Sequence, residues 1–346
     1  MTRVGWLAIG IVLFGCEGDP VGEVVDAGSG GSAGLGGSAG VGGSAGTGGS
    51  GLGGSAGSAG SAGAAGAGGC SSSCAEELAP QSTVASALAL GDSFVYLVTP
   101  TGVVRAPKVP GKPAAISTGS YLGPAAVDAT HVYLFDKADL HLEKLSTSGG
   151  IPAALTPAQT ATPFDLVLGA GYATYALYPQ GVYRVPITGG TPALLSQAGD
   201  DPIAVEVDAT DAFYVTTIGK TLMRAPLAGG TPTPLATALL APRDLVLVGS
   251  NVIYADVNVI LSMPKAGGSS DKIADALVDR MATDGSAVYW VSNVEKRVAS
   301  VPVTGGAIHV YAKDEGSPDG VAVDDTHVYW INDGGLYRAA KSCCVL

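Results

Sequence analysis

A repeat of about 40 residues constrains the fold of this 346-residue chain more than any other feature of its sequence. Each unit reads roughly as V-x-V-D-x-x-x-V-Y-W, a turn, G-x-x-Y-R-V-P and then G-G-x-P-x-x-L. One aromatic residue follows an apolar residue in the middle of each unit, at intervals of 37, 42, 38, 41, 35 and 40 residues. These seven anchors are Tyr96, Tyr133, Tyr175, Phe213, Tyr254, Tyr289 and Tyr329. Such a period indicates an array of similar structural units.

Each unit contains four short segments with the composition of β-strands. They are rich in Val, Leu and Tyr and are bounded by Gly, Asp, Pro and Asn. In the fourth unit the predicted strands are residues 204–208, 212–216, 221–225 and 231–235. Gly-Gly pairs, as at 149–150, separate the third and fourth segments, because a tight turn needs the positive φ that glycine adopts readily. Four strands per unit predict an all-β fold, a β-propeller of seven four-stranded blades.

The V-Y-W element and the R-V-P that follows it resemble the YWTD repeat family and, more loosely, the TolB-like propellers. The resemblance extends over residues 81–341 and is closest at VYWVS (288–292) and VYWIN (328–332). It concerns the repeat architecture, since the Thr-Asp half of YWTD is absent. The family typically has six blades, so six blades is the alternative to the seven counted here. One four-stranded sheet cannot bury both faces, and a closed ring covers each face with a neighbouring blade.

The two ends of the repeat region predict how the ring closes. In the seventh unit the third segment, GLYRAA (335–340), is followed by only six residues, whereas CAEELAP (74–80) precedes the first unit and resembles a fourth segment. We therefore expect an N-terminal strand to complete the last blade. We also expect two disulfides to join the Cys70/Cys74 pair to the Cys343/Cys344 pair, in either pairing. A four-cysteine zinc site has unusual C-x₃-C and C-C spacing and is the less favoured alternative.

The N-terminus has the features of an export signal. Arg3 precedes eleven apolar residues, 4–14, which are too few to span a bilayer. Leu13, Gly15 and Cys16 resemble a bacterial lipobox, which implies that residues 1–15 are a signal peptide and that Cys16 carries lipid. An ordinary signal peptide with an incidental cysteine is the alternative. Residues 16–69 then form a tether, rich in Gly, Ser and Ala, and residues 70–346 form the propeller.

These features predict a lipid-anchored protein of the bacterial cell envelope, periplasmic or surface-exposed, with the outer membrane favoured over the inner. The net charge is −12, from 18 Lys and Arg against 30 Asp and Glu, and no basic run occurs. Nucleic acid is therefore not an expected partner, because phosphate binding requires clustered basic residues. We expect the propeller to bind an unknown protein, peptide or glycan.

The sequence contains few candidate residues for catalysis or metal binding. None of the four histidines stands at metal-ligand spacing from another, and no nucleophile elbow or phosphate-binding loop occurs. Aspartates lie near the start of the innermost predicted strand in four units, as Asp165, Asp244, Asp279 and Asp319. Such carboxylates can converge on Ca²⁺ in a central channel, or serve a metal-dependent hydrolysis like that of lactonase propellers.

Aspartate is also common at strand starts, and we favour solvated turn residues over a metal site. A non-enzymatic binding module is therefore the predicted function, with no cofactor. A metal-dependent hydrolase or lyase with its site in the channel is the alternative.

Overall fold

The described part of the chain consists of β-strands joined by short turns. The structure is a computed structural model that describes residues 74–80, 85–197 and 200–343, all of which belong to one compact unit, Ala65–Leu346. These residues form 28 strands and no helix. Within the described ranges there is accordingly no helix long and apolar enough to cross a membrane. The predicted signal peptide, Cys16, the tether, Cys70 and Cys344 lie outside the described residues.

The strands are numbered along the chain, and β1 is Glu76–Pro80. Blade 1 contains β2 (Ala87–Leu90), β3 (Phe94–Thr99), β4 (Gly102–Pro107) and β5 (Ala114–Thr118). Blade 2 contains β6 (Tyr121–Val127), β7 (His131–Asp136), β8 (Leu142–Ser146) and β9 (Ala153–Ala154). Blade 3 contains β10 (Thr162–Gly169), β11 (Tyr172–Tyr178), β12 (Gly181–Pro186) and β13 (Ala193–Leu194).

Blade 4 contains β14 (Pro202–Val207), β15 (Asp211–Thr216), β16 (Thr221–Pro226) and β17 (Thr233–Ala236). Blade 5 contains β18 (Pro242–Val248), β19 (Asn251–Asp256), β20 (Val259–Pro264) and β21 (Asp271–Asp275). Blade 6 contains β22 (Arg280–Thr283), β23 (Ala287–Ser292), β24 (Arg297–Pro302) and β25 (His309–Ala312). Blade 7 contains β26 (Gly320–Val323), β27 (His327–Asn332) and β28 (Gly335–Ala340).

The sheets confirm the predicted seven-bladed propeller. Seven antiparallel four-stranded sheets follow one another along the chain, and the first strand of each blade contacts the first strands of both neighbouring blades, which closes a ring around the axis. Seven apolar clusters fill the described structure, one at each interface between consecutive blades. The four strands predicted for the fourth unit agree with β14–β17 to within two residues at each end.

Two of the seven sequence anchors are wrong by one residue. The third residue of the second strand faces the following blade, and in blades 3 and 5 that residue is Thr174 and Ile253. Tyr175 and Tyr254 come next along the strand and pack instead against the preceding blade. The sequence pattern selected them because each is an aromatic residue in the middle of its strand. The structurally equivalent residues are spaced more evenly, at 37, 41, 39, 40, 36 and 40 residues.

The ring closes as the sequence predicts. Strand β1 pairs antiparallel with β28 and becomes the outer strand of blade 7. Cys74 and Cys343 form a disulfide with a Cα–Cα separation of 5.9 Å and a sequence separation of 269. An ion pair at 2.7 Å joins Arg338 of β28 to Glu76 of β1. The second predicted disulfide, between Cys70 and Cys344, stays a prediction.

One face of the ring is named here the entry face. It is the face at which the first strands begin, and it also carries the turns between the second and third strands of each blade. The opposite face carries the turns between first and second strands. There an aspartate carboxylate accepts bonds from the backbone N–H groups of the turn in four blades: Asp128, Asp208, Asp284 and Asp324.

Three of these turn aspartates also tie neighbouring blades together. The second carboxylate oxygen of Asp324 accepts from Tyr329 of its own blade at 3.0 Å and from Lys108 of blade 1 at 2.9 Å. Asp208 binds Lys265 of the following blade in the same way. Asp284 likewise binds Lys341 of blade 7. A single side chain thus fixes a turn and crosses an interface.

Candidate functional site at the entry face

The four predicted aspartates of the channel occupy two different positions. The backbone N–H groups of Asp279 and Asp319 each donate to a carbonyl of the adjacent second strand at 3.0 Å, which places both residues at the entry of their first strands. Asp165 and Asp244 lie one position deeper, where β-bulges shift the register of β10 and β18. The sequence analysis placed all four near the start of the first strands, as the structure does, but did not distinguish the strand entry from the position one residue deeper.

Asp165 and Asp244 each tie two blades together. Asp165 accepts a bond from its own neighbour Leu166 at 2.8 Å and from Val205 of blade 4 at 2.8 Å. Asp244 repeats this one interface further on, with Leu245 at 2.8 Å and Met281 of blade 6 at 2.7 Å. In the described structure β14 and β22 are edge strands of their sheets, and each carboxylate therefore accepts a bond from an N–H group on such an edge.

Arg280 occupies in blade 6 the position that Asp165 and Asp244 occupy in theirs. No hydrogen-bond or ion-pair partner within the described ranges reaches its guanidinium, although four aspartates act on it electrostatically. Burial disfavours the Arg280 cation, but the charges of Asp244 and Asp165 outweigh this effect and raise its pKa. Its five N–H donors are therefore open to a ligand or to water.

Glu206 is a carboxyl group in a series of small apolar residues. At the equivalent position of the other first strands stand Ala89, Ala126, Val167, Val246, Ala282 and Ala322. Burial raises the pKa of Glu206 to about 8, and the charges of Asp165 and Asp244 contribute to the rise. Burial likewise raises the pKa of Asp244 to about 7. Sequence reasoning missed Glu206, although its departure from the repeat was a usable signal.

The described carboxylates of the channel do not form a metal-binding group of three. In the residues that the structure describes, three possible ligand atoms lie within 4.8 Å of one another only at Asp136, Asp139 and His141. These residues belong to the turn between β7 and β8, where His141 also bonds to Glu143 at 2.8 Å. Asp139 and Glu143 together raise the pKa of His141 despite its burial. These bonds stabilise the turn.

Four large apolar side chains are exposed on the entry face of three consecutive blades. They are Ile218, Leu240, Val257 and Val294, with exposed fractions of 73%, 69%, 38% and 74%. Ile218, Val257 and Val294 lie in turns between second and third strands, and Leu240 lies in the loop that enters β18. We call these four residues the apolar arc.

Buried carboxylates hold the loops of the apolar arc in place. Asp201 accepts bonds from the backbone N–H of Ile218 and from Thr217 Oγ1, the latter at 2.6 Å. Asp256 accepts from the backbone N–H of Leu240 at 3.0 Å. Asp201 and Asp256 are 5% and 8% exposed, so these charge-assisted bonds are shielded from water. The arc is thus displayed on ordered backbone.

Val257 adopts a backbone conformation that is rare for its side chain. Its φ is +54°, in the left-handed region where a β-branched residue is strained. It begins a two-residue turn between β19 and β20, at the position where glycine is favoured in such a hairpin. Valine at this position exposes apolar surface at a cost in stability.

Asp279 connects the channel to the apolar arc. Its Oδ2 accepts a bond from the backbone N–H of Asn293 at 2.6 Å, and Asn293 directly precedes Val294. Leu240 likewise precedes Asp244 by only four residues. In blades 5 and 6 a channel aspartate is therefore linked to a residue of the apolar arc, through the chain at Asp244 and through a hydrogen bond at Asp279.

Comparison with known proteins supports the fold but does not identify an activity. No protein-family model matches this sequence, and no curated protein matches it. Solved structures do match: virginiamycin B lyase from Staphylococcus aureus has a TM-score of 0.64 at 12% identity, over 77% of this chain and 98% of that chain. A chain of the nidogen/laminin complex has a TM-score of 0.50 at 16% identity, over 59% of this chain and 86% of that chain.

A surface protein of Porphyromonas gingivalis also has a similar fold. PorZ, described as an essential bacterial surface component of the type-IX secretion system, has a TM-score of 0.58 at 11% identity. The match covers 77% of this chain and 38% of that chain. At such low identities these similarities establish the β-propeller fold alone.

Proposed function

We propose that this chain is a binding module of the bacterial cell envelope, and that the apolar arc is its contact surface for a protein. The arc itself carries the proposal. Seven large apolar side chains are prominently exposed in the described structure, and four of them share the entry face of blades 4–6. The other three, Val109, Ile151 and Leu194, lie on blades 1, 2 and 3 away from that face.

An exposed set of ordered apolar side chains is more stable when a protein partner covers it than when water does. Exposed apolar clusters with polar surroundings are typical of protein interfaces. Because Asp201 and Asp256 already fix the loops, little conformational entropy is lost when a partner binds. The nidogen/laminin complex supports the same reading, since a propeller of similar fold occurs there in a protein complex.

Substitution of the arc tests this proposal. The variant Ile218→Ser with Val294→Ser should lose the proteins that the full-length wild-type chain captures by cross-linking in envelope preparations. Ile151→Ser is the matched control, because Ile151 is 96% exposed on the opposite face. Identical captured proteins for the wild type and the arc variant would show that the arc is not the contact surface.

A location in the envelope is supported by Leu13, Gly15 and Cys16, which resemble a lipobox, and by the tether predicted for residues 16–69. The fold shared with PorZ, a bacterial surface component, agrees with this location. We expect Cys16→Ala to move the protein from the membrane fraction to the soluble fraction. Retention in the membrane fraction would contradict the lipid anchor.

A second candidate function is a hydrolase or lyase in the channel. Asp244 and Glu206 favour it, because pKa values of about 7 and about 8 suit acid–base catalysis near neutral pH. Arg280 would stabilise a developing negative charge on the substrate. If this candidate is correct, Glu206→Gln abolishes turnover in a screen of lactones and other esters, whereas the arc variant leaves turnover unchanged.

A further inference from the structure

We infer that the protein partner presents a basic side chain, Lys or Arg, flanked by apolar residues, and that the basic group lies at Asp279 and Asp319. This inference rests on the proposed function of the apolar arc, which would receive the flanking residues.

An excess of carboxyl groups over cations surrounds the entry of the channel. Asp165, Asp244, Asp279 and Asp319 all act on the single guanidinium of Arg280. Asp333 adds a further negative charge next to Asp319. Exposed cations also lie on this face, at Lys220 and Lys296 in turns between second and third strands and at Arg243 near the start of β18.

The spacing of these carboxylates favours an organic cation over a metal ion. Ca²⁺ draws its oxygen ligands to about 2.3–2.6 Å, whereas no three channel carboxylates among the described residues lie within 4.8 Å of one another. A guanidinium or ammonium group bridges more widely separated acceptors, because its donors point in several directions and each bond is about 2.7–2.9 Å long.

The open donors of Arg280 indicate that the ligand also supplies acceptors. A free anion would meet the surrounding aspartates and be repelled. Backbone carbonyl groups of a peptide are neutral acceptors, and they accompany a basic side chain in any polypeptide partner. A peptide therefore matches both the cation deficit at the channel entry and the unpaired guanidinium.

Asp319 is the side chain best placed to meet such a group. It is exposed to solvent, and no hydrogen bond to its carboxylate occurs among the described residues. Although the residue is exposed, nearby protein partly desolvates its carboxyl and, together with the charges of Asp279 and Asp333, raises its pKa, which Arg280 only partly offsets. Asp279 lies at the same level in the adjacent blade and uses one oxygen for Asn293. Its other oxygen remains open to a ligand in the described structure.

Two synthetic peptides that differ in one charge test the inference. The probes are acetyl-Ser-Leu-Arg-Leu-Ser-amide and the same peptide with citrulline, the neutral isostere of arginine, titrated by calorimetry into the full chain at low salt. We expect the arginine peptide to bind about tenfold tighter, equivalent to about 1.4 kcal/mol. Added salt should reduce this preference, because it screens charges at an exposed site.

Variants assign the preference to the proposed residues. Asp279→Asn with Asp319→Asn should reduce the arginine preference to less than about twofold. The asparagine oxygen still accepts the bond from Asn293, so this variant should keep its fold, which urea unfolding checks. Asp325→Asn, an exposed aspartate of the opposite face, is the matched control and should leave the preference unchanged.

The outcomes separate this inference from the proposed function. Equal affinity of the wild type for both peptides, or no binding of either below about 1 mM, overturns the inference. A preference that persists in the Asp279/Asp319 variant places the cation elsewhere and also overturns it. The arc variant Ile218→Ser with Val294→Ser should weaken both peptides equally. If it weakens neither peptide and captures the same envelope proteins, the proposed function fails independently.

Discussion

Asp324 shows how one residue can determine both local and long-range structure. Its Oδ1 accepts bonds from the backbone N–H groups of Thr326 and His327, and its Oδ2 accepts from Tyr329 and from Lys108 across the blade interface. The repeated pattern V-D-x-x-x-V-Y therefore has a structural reason. The aspartate fixes the turn, and the tyrosine three residues into the next strand returns to the same carboxylate.

Replacing Asp324 should destabilise the propeller more than replacing its neighbour. Asp324→Asn keeps an acceptor for the turn but loses the charge that holds Lys108. We expect the free energy of unfolding in urea to fall by about 1–3 kcal/mol. Asp325→Asn is the control, because Asp325 is exposed and adjacent. Equal stability of the two variants would contradict the role given to Asp324.

The turn aspartates should also make stability depend on pH in the acidic range. Burial raises the pKa of Asp208, but bonds from Thr210, Asp211 and Lys265 outweigh burial and lower the pKa to about 2. The unfolded value is about 3.9. Because the folded pKa is the lower one, Asp208 stabilises the protein above about pH 4, and this contribution is lost as pH falls towards 2.

Urea unfolding between pH 6 and pH 2 measures this effect. Wild-type protein should lose stability below about pH 4, and Asp208→Asn should lose less over the same interval, because the amide does not titrate. Parallel pH profiles for the two proteins would show that Asp208 is not one of the groups responsible.

At the scale of the turn, Val257 lowers the stability of the fold but supplies apolar surface for binding. Glycine adopts a φ of +54° without strain, whereas a β-branched residue does not. We expect Val257→Gly to raise the free energy of unfolding by about 0.5–1 kcal/mol and to weaken partner capture. Val294→Gly is the control, since Val294 is exposed in a neighbouring turn with ordinary φ, and it should be neutral or destabilising. A destabilised Val257→Gly variant would refute the strain at this turn.

The strands and their order were predictable from sequence because each unit repeats the same turn chemistry. The Gly-Gly pairs have the expected positive φ, as at Gly189 and Gly190. Register was not predictable where a bulge intervenes. The shifts between Pro163 and Asp165, and between Pro242 and Leu245, displace side chains by one position without changing the composition of the strand.

The candidate site was predictable only in part, for a related reason. Aspartates at strand starts were visible because the repeat marks those starts. The apolar arc was not visible, since the sequence placed Ile218 in a turn but did not show that this turn shares one face of the ring with the loops that carry Leu240, Val257 and Val294. Arg280 takes a position that carries aspartate in two other blades, so its significance appears only when the blades are superposed by their pairing.

For the whole molecule, ring closure is the step that joins the two ends of the chain. Strand β1 adds to β28, and Leu78 and Ala79 of β1 pack into the cluster between blades 7 and 1. Gly335 makes the pairing possible: its φ is +132°, and a Cβ on it would lie 2.1 Å from the carbonyl oxygen of Ala79. Local contacts stabilise the other blades, but blade 7 depends on contacts between residues more than 250 positions apart.

The Cys74–Cys343 disulfide should therefore contribute to the stability of the whole ring. It closes a loop with a sequence separation of 269, for which restriction of the unfolded chain gives up to about 5 kcal/mol and typical measured values are about 2–4 kcal/mol. We expect Cys74→Ser with Cys343→Ser to lower the urea midpoint of unfolding accordingly. A reductant should lower the wild-type midpoint by at least as much. It should lower the variant's midpoint further only if Cys70 and Cys344 form the second predicted bridge. If the double variant unfolds at the wild-type midpoint, the closing disulfide does not stabilise the ring, and pairing of β1 with β28 closes it alone.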